Sequence, residues 1–239
     1  MNIFFDLPIE HQIVILTELL DLKDFAKFHS AVCTKIYRKE FLALVTSEQC
    51  VFSNSFILNQ EELILAWAVT NGIRFKEIWL HGENLRDAQT RRRIISHFAV
   101  SLEEIMIDFA LYSNGVIATK DRTIDLLSAF EDVSRFCTRL KDVHLVQDCN
   151  EINLQPLDNF ACMPTFVSSL PSLQSIYLDI FVELPVAWLL ALSAMPLLRT
   201  VSLLFRSLEQ GAQLPEQFTP SRSVRKLTVS SSAWLCQLF

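Results

Sequence analysis

Cysteines and histidines are the residues most able to do chemistry here, and their spacing argues against it. The six cysteines, Cys33, Cys50, Cys137, Cys149, Cys162 and Cys236, include no C-x-x-C pair. The five histidines, His11, His29, His81, His97 and His144, show no H-x-x-x-H spacing, so neither a zinc site nor a disulfide framework is indicated. The four glycines, Gly72, Gly82, Gly115 and Gly211, lie too far apart for a phosphate-cradling loop of the dinucleotide or P-loop kind. His144 has Asp142 nearby and Asp179 on a neighbouring segment, but no serine or cysteine nucleophile falls at the same place. The expectation is a protein without cofactor, metal or catalytic set.

Charge narrows the partners. Lys and Arg number 21 against 27 Asp and Glu, a net charge of -6, so no overall basic field draws in nucleic acid. The run Arg91-Arg92-Arg93 reads as a solvated helix face. The longest uncharged apolar segment, Leu184 to Leu198, is shorter than the roughly 20 residues a bilayer-spanning helix needs and carries Pro185 and Pro196, so it reads as a buried helix and no membrane partner is expected. Met1 to Asp6 lacks the positive start of a signal peptide, which fits a reducing cytoplasmic or nuclear compartment.

Two regions with different periodicities must position whatever binds. Over residues 1–47 the pattern is helical: Ile9, Ile13, Leu16 and Leu20 share one face, Asp21 can cap a second helix with Phe25, Phe28 and Val32, and a third would bury Tyr37, Phe41, Leu44 and Val45. Over residues 48–239 a strand signature recurs, an apolar residue, two variable positions, an aliphatic, one variable position, an aliphatic. It reads Phe75-Ile78-Leu80, Leu102-Ile105-Ile107, Leu140-Val143-Leu145, Leu173-Ile176-Leu178, Leu198-Val201-Leu203 and Val224-Leu227-Val229. Helical segments at Glu61–Val69, Gln89–Phe98, Ile124–Cys137 and Val186–Met195 fall between the strands. The spacing, about 30 residues, lies near the upper end of a leucine-rich repeat period. The expected fold is α/β: a solenoid of about six repeats, short parallel strands alternating with helices, behind an N-terminal three-helix region. An ordinary α/β domain is the alternative, with longer apolar strands and glycine-rich turns. The apolar end, Ala233 to Phe239, would fold back over the last repeat or continue into further chain.

Leu7-Pro8-Ile9-Glu10, followed by Leu19, Asp24-Phe25 and Val32-Cys33, resembles an F-box, and the remainder resembles the leucine-rich repeats that often follow one. The order of parts is that of F-box/leucine-rich-repeat proteins. This resemblance implies a substrate-recognition subunit of a cullin-RING ubiquitin ligase, with Leu7, Pro8, Ile9, Leu19, Phe25 and Val32 forming the adaptor-binding helical surface or its supporting core. The alternative is a repeat-based binding scaffold whose N-terminal helices only cap the first repeat.

Strand alternation then points to a partner-binding face. The position between the last two aliphatic anchors gives one column: Trp79, Met106, His144, Tyr177, Ser202 and Thr228. Exposed aromatic and Met side chains in a row are typical of interfaces, although a loop or the tail could cover them. Two residues upstream, Glu77, Glu104 and Asp142 flank this column, which implies a protein substrate with basic residues beside an apolar anchor.

Overall fold

In the computed structural model the described residues are 3–20, 22–32, 35–53, 61–81, 87–108, 120–146, 162–184, 186–208 and 224–231. Asp21, Cys33, Gly82, Gly115, Cys149, Gly211, Cys236 and the segment 233–239 therefore lie outside them.

The N-terminal pattern folds into α1 (Ile9–Val14), α2 (Leu22–Ala31) and α3 (Lys35–Val45). Pro8 stands just before α1, where its missing N–H costs nothing. α1 widens into a π-helical turn over Ile15–Leu19, in which the Leu20 amide donates to the Ile15 carbonyl at 3.1 Å. Leu16, Phe25, Val32, Phe41, Leu44 and Val45 are buried, while Ile13, Leu20, Phe28 and Tyr37 pack half-buried around them. Ile9 departs from the expected buried face and is 52% exposed. Phe4 and Phe5 pack on the helices: Phe4 meets Phe28 at 5.1 Å between ring centres, and Phe5 stacks on Tyr37 at 4.7 Å.

The remainder is mixed α/β. β1 (Val51–Phe52) pairs in parallel with β2 (Arg74–Phe75). β3 (Glu77–His81), β4 (Glu104–Asp108), β5 (Asp142–Val146), β6 (Ser175–Leu184), β7 (Thr200–Leu208) and β8 (Lys226–Ser231) form a six-stranded sheet in chain order, with every neighbouring pair parallel. α4 (Glu61–Asn71), α5 (Ala88–Phe98), α6 (Lys120–Phe136), α7 (Met163–Ser168) and α8 (Val186–Ser193) alternate with the strands. The helical pattern predicts four of these. α7 is an addition: Met163, Phe166, Val167 and Leu170 bury one face of it at helical spacing, and Pro164 sits in its first turn, where proline is tolerated. β6 and β7, at 10 and 9 residues, are longer than the short strands expected, and their pairing shifts register between Ile180 and Glu183.

One backbone device recurs where each strand begins. The Lys76 carbonyl accepts from two consecutive amides, Glu103 at 2.7 Å and Glu104 at 3.0 Å. Glu103 does the same for Lys141 and Asp142, Lys141 for Gln174 and Ser175, Gln174 for Arg199 and Thr200, and Arg199 for Arg225 and Lys226. Just ahead of three strands, side chains reach back to the segment before the preceding strand. Ser101 donates to the Phe75 carbonyl at 2.8 Å, Arg139 to Val100 at 3.0 Å and Ser172 to Thr138 at 3.0 Å. These bonds satisfy carbonyls that would otherwise be left open at the turns.

The leading residues Phe75, Leu102, Leu140, Leu173 and Leu198 are buried, as are Ile78, Leu80, Ile105, Ile107, Val143, Leu145, Ile176, Leu178, Val201 and Leu203. All belong to one core with the helices and with Phe25 and Phe41 of the N-terminal region. Gly72 ends α4 at φ 70°, with Ile73 N–H bonded to Ala68 O at 3.0 Å, the left-handed closure that glycine adopts without strain. The segment Leu184 to Leu198 is buried on one side only: α8 hides Trp188 and Leu192 but exposes Leu190.

Arg91 departs from the reading of Arg91-Arg92-Arg93 as a solvated face, while Arg92 and Arg93 are exposed as expected. Arg91 is fully buried, with Nε 3.1 Å from Asp132 Oδ2 and Nη2 donating to Ser128 Oγ at 2.6 Å, and Arg92 Nε reaches Asp132 Oδ1 at 2.9 Å. The next helix supplies the carboxylate, and no property of residues 91–93 alone announces it. Breaking a buried pair on one side leaves an uncompensated charge, so Asp132→Ala is expected to destabilise the chain by about 3–5 kcal/mol. Urea unfolding checks this, with Arg91→Met/Asp132→Leu recovering most of the loss.

Candidate protein-binding face of the sheet

Parallel pairing without slip puts equivalent side chains side by side. Trp79 pairs with Met106, Met106 with His144, His144 with Tyr177, Tyr177 with Ser202 and Ser202 with Thr228, so the expected column is in register across all six strands. On β3 to β7 their neighbours one position along point into the core, and the six column residues are half-buried or exposed. The row before them, Glu77, Glu104, Asp142, Ser175, Thr200 and Lys226, is likewise in register. On the far side, Asp108 pairs with Val146 and Val146 with Asp179.

The centre of this face is a coupled polar group. His144 stacks on Tyr177 at 5.6 Å between ring centres and 29° between planes, and its Nε2 lies 3.2 Å from Glu104 Oε1. Burial lowers the His144 pKa from its ordinary 6.5, opposed by the charges of Asp142 and Glu77. Burial also raises the Glu104 pKa, and Asp142 adds to the rise. Both shifts disfavour the charged forms, so burial weakens the ion pair that these two side chains would otherwise make. Tyr177 is held above its usual range by burial and then by Asp179. The Glu104–His144 contact escapes a column-by-column sequence reading because it runs diagonally between β4 and β5, within reach of long side chains.

Among the described residues no nucleophile is paired with His144: its cross-strand neighbours are Met106 and Tyr177. Among the described residues no three His, Cys, Asp or Glu side chains are grouped to hold a metal ion. The cysteines Cys50 and Cys137 are buried with thiols pushed up to about 12, which keeps them protonated and unreactive. Among the described residues no helix is long and apolar enough to cross a membrane.

The six N-terminal candidates divide. Phe25 and Val32 are core, Leu7 is half-buried, and Pro8, Ile9 and Leu19 are exposed, Leu19 at 70%. Ile3 and Val14 are also exposed, which concentrates uncovered apolar side chains in residues 3–19. No family model and no curated protein matches this sequence.

Removing the Asp142 charge should lower the His144 and Glu104 titration midpoints together, because that charge favours the protonated form of both. NMR titration of the wild-type chain and Asp142→Asn checks this, and the wild-type His144 midpoint is expected below 6.5. The sign for stability follows: a depressed histidine pKa means the folded state resists protonation, so the contribution of His144 is present above pH 6.5 and declines as pH falls toward its folded midpoint.

Proposed function

We propose that this chain is a non-catalytic protein-binding subunit, a leucine-rich-repeat-type solenoid that holds a protein partner on the outward face of its sheet. The observation that carries this reading is the in-register row of Trp79, Met106, His144 and Tyr177, large side chains facing away from the core on four adjacent strands. The strictly sequential parallel order and the repeated handover at each strand start support the solenoid. Glu77, Glu104 and Asp142 favour a partner with basic residues beside an apolar anchor. A cytoplasmic or nuclear setting suits the buried free thiols of Cys50 and Cys137.

Within that reading, residues 1–47 act as an F-box-like adaptor-docking region, and the chain is a substrate receptor of a cullin-RING ubiquitin ligase. Exposed Pro8, Ile9, Val14 and Leu19 support this assignment. A second reading, that these helices only cap the repeats, is favoured by the packing of Phe25 against Phe52 at 4.7 Å and Trp67 at 6.0 Å, which merges the helices with the repeat core.

Ile9→Asp/Leu19→Asp separates the two, since both sites are exposed and surface changes usually stay within about 0.5 kcal/mol of wild-type stability. The purified chain is expected to bind the ligase adaptor subunit, and the double variant to lose about tenfold or more in affinity while remaining folded. No binding by the folded wild-type chain would leave the cap reading. For the sheet face, Trp79→Ala and Tyr177→Ala should each weaken partner capture, and charge reversal at Glu77, Glu104 and Asp142 should abolish its salt dependence.

A further inference from the structure

Charge along the strand starts, in the outward row and in the edge row one residue ahead of it, changes sign along the sheet. Over β3 to β5 the two rows at the strand starts hold Glu77, Glu103, Glu104 and Asp142 against Lys76 and Lys141, and Lys141 Nζ is already engaged by Glu103 at 3.0 Å. Over β7 and β8 the same rows hold Thr200 with Arg199, Arg225 and Lys226, all three cations exposed. The side chains beside them also change character. Trp79, Met106, His144 and Tyr177 line the acidic end, whereas Ser202 and Thr228, in register with them, line the basic end. Large apolar and aromatic groups next to carboxylates suit a lysine or arginine with an apolar neighbour. Hydroxyls next to cations suit an anionic side chain.

We propose that the partner of this face is a dipolar protein segment lying across the strands, its basic residues over β3–β5 and its acidic residues over β7–β8. The inference rests on the binding-face reading above and adds the partner's charge order and spacing. Neighbouring strands lie about 4.8 Å apart, so β4 and β8 are separated by about 19 Å, which an extended segment spans in about six residues. A basic-only segment would place its surplus charge over Arg199, Arg225 and Lys226 or leave that end uncovered. The dipolar segment is complementary at both ends, and like-charge contact at the wrong end fixes its direction across the sheet.

The test uses the full chain and two labelled synthetic peptides. One carries three lysines, a leucine-containing neutral spacer of about six residues matching the strand spacing, and three glutamates; the other has glutamines in place of the glutamates. The dipolar peptide is expected to bind about tenfold tighter than the glutamine peptide at low salt. Arg225→Gln/Lys226→Gln should remove that advantage while changing glutamine-peptide binding by no more than about twofold. Equal affinity of the two peptides overturns the inference, as does an advantage that survives Arg225→Gln/Lys226→Gln. If the glutamine peptide still binds and is weakened by Glu104→Gln/Asp142→Asn, the binding-face reading stands without it. If neither peptide binds the folded chain, both fall.

Discussion

Everything on the sheet depends on a single backbone handover, in which the carbonyl ahead of each strand accepts two consecutive amides of the next. Lys76, Glu103, Lys141, Gln174 and Arg199 all serve in this way, at distances of 2.7 to 3.0 Å. A carbonyl has two lone pairs, so two donors saturate it, and a slip of one residue would break both bonds at once. Side chains alternate with period two, so the same slip would turn Ile105, Val143 or Ile176 outward and Met106, His144 or Tyr177 into the core. Register is thus held from two sides, by hydrogen bonds at the strand start and by burial along its length.

This register explains why the candidate face is continuous although the segments joining the strands differ in length and sequence. It also places the Asp142 charge close enough to Glu104 and His144 to push the pKa of both upward. The N-terminal region is constrained by the same core. Phe25 packs against Phe41, Phe52 and Trp67, so α2 is seated by β1 and α4 as much as by α3.

Much of this was legible in the sequence. The spacing of Leu102, Ile105 and Ile107 and its recurrences locate the strands and their inward residues, because burial on one face imposes the period directly. The outward column follows from the same rule. Ile9, Arg91 and α7 were not legible, for three physical reasons. Ile9 opens α1 and is 52% exposed, and periodicity gives the face of a residue but not whether a neighbour reaches the helix end to cover it. Arg91 is buried only because Asp132 and Ser128 arrive from the next helix, a long-range match invisible in a local charge run. α7 has only 6 residues, fewer than two full turns, so its periodic signal is weak beside its proline. The adaptor-docking role of Leu7, Pro8, Ile9 and Leu19 rests on resemblance, because exposure alone does not identify what a surface meets.

The nearest-neighbour order of the strands also bears on how the chain acquires its shape. Each pairing joins segments adjacent in sequence, with 38 residues from Leu102 to Leu140 and 25 from Leu173 to Leu198. Closing the longer loop costs only about 0.4 kcal/mol more than closing the shorter one, since loop entropy grows with the logarithm of length. No strand pair is therefore much costlier to close than another, and the length of the joining segment is a weak constraint so long as the handover carbonyl and its two donors remain.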